Sequence, residues 1–156
     1  MDEICIQDAT EANADDLCRV CVPANKMHDP DWAQGVTEKK AWVTDMVRRW
    51  GSFAKVAYLG DDSVGMIQYP PVPEERIVRI DCIYVPPGKG LRKGVASRLF
   101  SNLMADVDRP VLWFDCQPPL ALVVNTFEGR PHDQYTAREF FTAKGFKSIG
   151  VDPDHL

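Results

Sequence analysis

Residues 80–104 read IDCIYVPPGKGLRKGVASRLFSNLM. A strand-like run stops at two prolines and crosses a loop holding Gly88, Gly90 and Gly94 together with Lys89, Arg92 and Lys93. It then restarts at once as an amphipathic helix. Those residue types in that order are chemistry for an anion. The first N–H groups of a helix have no intrahelical acceptor, and the aligned peptide dipoles place partial positive charge there. Glycines let the backbone approach a phosphate closely, and the cations add charge around it. The competing reading is an ordinary glycine-rich connection with solvated lysines. The segment lacks the GK[ST] ending of a nucleotide P-loop, so no hydroxyl is poised for magnesium. A dinucleotide fingerprint, with Asp115 as its ribose-binding acid, would need a βαβ unit near the start of a parallel sheet. This run instead follows a hairpin, well into the chain.

The remaining reactive residue types are scattered. Five cysteines, an odd number, give no disulfide framework. Cys18 and Cys21 form a CxxC in ADDLCRVC, where Leu17, Cys18 and Cys21 share a helical face. No second Cys/His pair follows at zinc spacing, so packing as small hydrophobes is the expectation. His28, His132 and His155 show no metal spacing, and no metal is expected.

The elements that must position the loop can be read from periodicity and breakers. EICIQ (3–7) reads as a strand. TEANADDLCRVC (10–21) reads as a helix with Thr10 as N-cap. The prolines and aspartates of VPANKMHDPDW then predict a connection. A helix from Thr37 to Gly51 carries a stripe of Trp42, Val43, Met46, Val47 and Trp50. FAKVAYLGDDSVGMIQY is a hairpin signature, and IVRIDCIYV (77–85) reads as one alternating strand. The helix from Gly94 keeps Val95, Leu99, Phe100, Leu103 and Val107 in 3.6-residue register. VLWFDC (111–116) reads as a strand. Residues 117–135 form an irregular excursion whose LALVV core predicts a short strand or an apolar flap. A last helix ends near Gly145, with a strand from Phe146.

The 156 residues, 45% hydrophobic and 26% charged, suit one domain with a real core and exclude wholesale disorder. A formal net charge of -5 argues against an extended nucleic-acid surface and weakly favours cationic small substrates. No apolar run approaches the ~20 residues of a membrane span. The acidic N-terminus lacks a signal-peptide pattern, so a cytoplasmic location is expected.

CIYVPPGKGLRKGVASRLFSNLM resembles the coenzyme A-binding motif of the GNAT N-acetyltransferases, a strand ending in Val, a (Gln/Arg)-x-x-Gly-x-(Gly/Ala) loop and a helix. AREFFTAKGFK resembles that family's C-terminal motif, Ala-x-x-x-Tyr followed by a Gly-Phe pair. The resemblance covers 77–107 well and 111–147 fairly; before Val56 it rests on element order. It implies a single α/β (α+β) domain over 1–156 with a mixed, mostly antiparallel sheet flanked by helices. It implies acetyl-CoA as cofactor and direct acetyl transfer to a primary amine of a small molecule or peptide, with neither nucleic acid nor membrane as partner. The backbone of Ile83, Tyr84 and Val85 would pair with the pantetheine arm. The N–H groups of Arg92, Lys93, Gly94, Val95 and Ala96 would cradle the pyrophosphate.

The chain departs from the pattern in three places. Leu91 stands at the Gln/Arg position, in a loop one residue longer than usual, with Arg92 as a shifted substitute. Phe141 stands where the family often has a tyrosine acid, and a phenyl ring donates no proton; Tyr135 is the nearest phenol in sequence. Attack by an amine also needs a base. Asp81, on the strand face of Val85, is the first candidate and Asp115 the second, while a structural pair with Arg79 is the other reading of Asp81. The last strand of the family fold is short or missing, which admits a trimmed chain, a longer natural protein, or a partner's strand in a homodimer. A degenerate coenzyme A-binding sensor and a protein-association domain are the rival functions.

Overall fold

In the computed structural model, which describes residues 3–107, 112–126 and 137–150, the chain divides into two units, Met1–Val123 and Val124–Leu156. The first unit is built on an antiparallel sheet of four strands, β1 (Ile4–Asp8), β2 (Ala54–Leu59), β3 (Asp62–Gln68) and β6 (Cys82–Tyr84), in the order β1-β2-β3-β6. All six residues of β2 are buried, as a central strand covered on both faces must be. A smaller sheet joins β4 (Pro71–Val72), β5 (Ile77–Ile80) and β7 (Ala121–Val124) in the order β4-β5-β7.

Register decides which side chains share a face. Ala54, Gln68 and Cys82 stand in one row and Val56, Met66 and Tyr84 in the next. This face packs on α1 (Ala14–Arg19) and α2 (Pro30–Trp50), whose Leu17, Cys18 and Val43 are fully buried with Val56 and Met66. Lys55, Ile67 and Ile83 belong to the opposite face, which meets α3 (Val95–Val107). There α3 buries Val95, Leu99, Phe100, Leu103 and Val107, each such side chain contributing about 1.5–3 kcal/mol. Lys55, nearly inaccessible on that face, donates to Asp8 and Asp106, both at 2.5 Å.

Local chemistry moves several boundaries. The second helix begins at Pro30 and not at Thr37, because Asp29 caps it, accepting from the Asp31 N–H at 3.0 Å. An N-cap aspartate followed by Pro at N1 starts a helix as well as it breaks a chain. Thr37 lies inside, its hydroxyl bonded back to the Ala33 carbonyl. Asn13, not Thr10, precedes α1, and its Oδ1 accepts the Thr10 N–H.

The run 77–85 is two strands in two sheets. The break is Asp81, whose N–H donates to the Gln68 carbonyl at 2.9 Å, so Val78 and Ile80 are buried while Tyr84 is exposed. Residues 112–114 form a 3-10 turn and not a strand. Trp113 is drawn to the end of α2, where its Nε1 donates to the Trp50 carbonyl at 2.5 Å, one of the orphan acceptors of a helix terminus. Asp115 and Cys116 then turn through left-handed backbone, φ 52° and 61°. The LALVV core does form a strand, β7.

The second unit holds α4 (Ala137–Ala143). Gly145, φ 97°, ends it: its N–H donates to Thr142 O at 3.0 Å and the Phe146 N–H to Phe141 O at 3.0 Å. That is a Schellman cap, completed by the Phe141–Phe146 ring contact at 5.1 Å. The Gly-Phe pair is thus a helix stop with its hydrophobic staple. No strand follows within 144–150. Among the described residues no helix is long and apolar enough to cross a membrane.

Candidate active site

The strand β6, the loop after it and the start of α3 run continuously along one end of the first unit. On one side β6 pairs with β3, through Met66–Tyr84, Ile67–Ile83 and Gln68–Cys82. Its other edge pairs with no strand among the described residues. Ile83 and Tyr84 lie on this edge and Val85 follows it, so the backbone expected to bind an extended amide-bearing arm presents itself as a sheet edge.

The loop is shaped by two kinds of glycine. Gly90 is buried, and a Cβ there would stand 2.7 Å from Val64 Cβ and 3.0 Å from the Val64 carbonyl. Its bareness therefore serves to seat the loop on β3 rather than to admit a ligand. Gly88 and Gly94, at φ 135° and 75°, have open space where a Cβ would be. The Leu91 N–H closes a turn onto Gly88 O at 3.2 Å, and the Lys93 N–H reaches Gly90 O at 3.4 Å. Arg92 sits between them in left-handed backbone, φ 62°. The first hydrogen bond of α3 runs from Arg98 N–H to Gly94 O at 3.0 Å. The N–H groups of Val95 and Ala96 thus precede the helix ladder and have no intrahelical acceptor. Arg92 and Lys93 are exposed, and Lys89 pairs with Asp62.

A residue the sequence reading passed over fixes this helix end. A Cβ on Gly65 would meet Val95 Cγ1 at 2.7 Å, the Tyr84 carbonyl at 3.3 Å and Leu99 Cδ1 at 3.4 Å. Only a bare backbone lets α3 start so close to β3 and β6. An isolated glycine within a strand pattern is the signal that could have found it.

The proton-transfer candidates are placed unequally. Asp81 adjoins β6, but its Oδ1 accepts from Arg79 Nε at 2.7 Å, the structural pair that was its alternative role. Asp115 is exposed in the turn after the 3-10 segment, not at a strand end. Tyr135 lies outside the described residues. Phe141 belongs to the second unit, where it is buried and its ring touches Phe140 and Phe146. Gln68, also overlooked, is 6% exposed in the row of Cys82, and its Oε1 has no hydrogen-bond partner among the described residues.

On the α1–α2 side an open pocket of about 410 Å³ is lined by Cys21, Asp31, Trp32, Val36 and Lys39, among others. Cys18 is buried beneath it, as packing predicts, but Cys21 is half-buried and past the end of α1. Lys39 Nζ lies 3.7 Å from its Sγ, and the Cys82 thiol hydrogen-bonds it. That bond and the nearby ammonium bring Cys21 down to about 6 against the opposing effect of burial. The same bond and burial push Cys82 up. Among the described residues no cluster of His, Cys, Asp and Glu could hold a metal ion.

No family model and no curated protein matches this sequence. Solved structures do resemble it. A ribosomal-protein-alanine N-acetyltransferase from Brucella melitensis biovar Abortus 2308 is 17% identical over 96% of both chains, with a TM-score of 0.61. A possible acetyltransferase from Clostridium difficile 630 is 16% identical over 96% of this chain and 93% of its own, at 0.64. An aminoglycoside N-acetyltransferase in complex with CoA is 12% identical over 97% and 93%, at 0.62. Likeness at such identity establishes a shared fold.

Proposed function

On the GNAT acetyltransferase fold that this chain has, we propose that it transfers an acetyl group from acetyl-CoA to a primary amine. The observation that carries the reading is the continuity of the open β6 edge, the Gly88–Gly94 loop and the unladdered N–H groups at the start of α3. Each matches a different part of the cofactor: an amide-bearing arm, a close-lying pyrophosphate, and its negative charge. When bound, acetyl-CoA supplies an acyl group already activated as a thioester.

The chain's own residues then divide the work. Backbone of Ile83, Tyr84 and Val85 holds the arm. The N–H groups around Arg92, Gly94, Val95 and Ala96 hold the pyrophosphate, with the Arg92 and Lys93 side chains as counter-charge. An N–H near Val85 stabilises the negative charge that develops on the carbonyl oxygen. Gln68 Oε1, buried beside Cys82 and without a hydrogen-bond partner among the described residues, accepts an N–H of the incoming amine and fixes its orientation. Asp81, the carboxylate nearest β6 in the chain, takes the amine's surplus proton after exchanging its Arg79 bond. With Phe141 at the tyrosine position, the leaving thiolate draws its proton from water.

The first experiment is a thermal-shift titration with acetyl-CoA and CoA, with ATP for comparison. Saturable stabilisation of roughly 2.7 kcal/mol at a hundredfold excess over Kd is expected from the first two alone. No shift would sink the cofactor assignment. The absent phenol at Phe141 favours a second reading, a coenzyme A-binding sensor. Stabilisation without turnover on any amine would select it, whereas turnover that Gln68→Leu weakens through KM supports the enzyme.

A further inference from the structure

We propose that Cys21 is a modification site, a nucleophilic thiol that Lys39 activates and Cys82 resolves, oxidised by small peroxides or disulfides to an intrachain Cys21–Cys82 bond. Three independent placements support this. Lys39, the tenth residue of α2, puts Nζ at 3.7 Å from Cys21 Sγ. Cys82, the first residue of β6, packs with Cys21 against the same buried core. The pocket of about 410 Å³ opens on Cys21 between Trp32 and Val36, giving a small oxidant an approach. The cysteines that are more accessible, Cys5 and Cys116, are exposed, but neither has a cation at bonding distance among the described residues.

The chemistry balances with hydrogen peroxide as oxidant. The Cys21 thiolate attacks one peroxide oxygen, an S–O bond forms as the O–O bond breaks, and the departing hydroxide takes a proton to leave as water. Cys82 sulfur then attacks the Cys21 sulfenic acid. The S–S bond forms, the S–O bond breaks, and the Cys82 proton goes to the hydroxide leaving as the second water. Two thiols give two electrons to one peroxide, and Lys39 keeps its proton throughout. With a disulfide as oxidant, Cys21 forms a mixed disulfide that Cys82 resolves with release of a thiol. Cys21 lies beyond the end of α1, in the turn at 20–22. The groups facing this sulfur are Lys39 and Asp31 from α2, Cys18 from α1 and Cys82 from β6, with Asp81 beside the last.

The proposal stands apart from the acetyl-transfer reading and is tested on the full reduced chain without cofactor. Substoichiometric iodoacetamide at neutral pH, read by peptide mass mapping, should label Cys21 about tenfold faster than the more exposed Cys5 and Cys116. Hydrogen peroxide should then yield a Cys21–Cys82 cross-linked peptide lacking two hydrogens, reversed by dithiothreitol. Cys82→Ser should stop the cross-link and leave Cys21 trappable by dimedone, and Lys39→Met should slow labelling of Cys21 alone. Labelling that follows exposure, with Cys5 or Cys116 first, overturns the proposal in the wild-type chain whatever the variants do. So does a cross-link joining any other pair.

Discussion

A Cβ on Gly65 would stand 2.7 Å from Val95 Cγ1, so the start of α3 rests on a strand residue without a side chain. Val95 cannot swing clear, because a β-branched side chain in a helix is confined to one main rotamer. Gly65→Ala should therefore displace the helix end and cost about 1–3 kcal/mol. Denaturant unfolding measures the loss. Acetyl-CoA stabilisation should fall in the same variant, because the N–H groups of Val95 and Ala96 move with the helix. Unchanged unfolding would mean that α3 has slack against β3.

Lys55 is held between two carboxylates that still reach water, Asp8 at 56% and Asp106 at 38% side-chain exposure. Loss of the cation leaves both acids solvated. Lys55→Met should then change stability by no more than about 1 kcal/mol, whereas Asp8→Ala with Asp106→Ala strands a buried ammonium and should cost about 3–5 kcal/mol. Urea midpoints of the two proteins decide it, and equal losses would contradict the asymmetry.

Arg92 holds left-handed backbone at φ 62°, a conformation that costs a side-chain-bearing residue about 1 kcal/mol or more. Arg92→Gly should raise the midpoint of the free chain slightly. Its acetyl-CoA affinity should fall, and fall less at high salt, if the guanidinium supplies counter-charge to the pyrophosphate. A variant of unaltered affinity would leave the backbone N–H groups as the whole of the anion site.

Cys21 has its pKa lowered to about 6 by the Cys82 thiol and Lys39. The sign follows directly: thiolate, the reactive form, predominates above that value and is lost as pH falls through it. Its alkylation rate should reach half its plateau near pH 6, whereas a cysteine of the unfolded chain should do so near pH ~8.5. Stability carries the same sign, since a depressed folded pKa adds stability as pH rises from about 6 towards the unfolded value. In Lys39→Met the midpoint of the Cys21 profile should move upward, and an unmoved midpoint would leave the Cys82 hydrogen bond as the sole cause.

Local chemistry alone determined a good part of this protein. The hairpin around Gly60, the register of α3 from Val95 to Val107, and the strand–loop–helix order at 80–104 all follow from periodicity and breakers, which act within a few residues. The unladdered N–H groups at the start of α3 were legible because every helix start leaves its first N–H groups without an intrahelical acceptor. Tertiary structure decided what local pattern left degenerate. Asp29-Pro30 spells a turn or a helix start equally well, and packing of Val43 and its neighbours chose the helix. Residues 77–85 alternate like one strand, yet the Gln68 carbonyl takes the Asp81 N–H and sends the two halves to different sheets. Trp113 left the pattern of a strand because the end of α2 offered it a carbonyl. Cys21 and Lys39 line one pocket, and Cys82 packs with Cys21 against the same core; these positions are far apart in the chain, so only the folded sheet and its covering helices could bring them together.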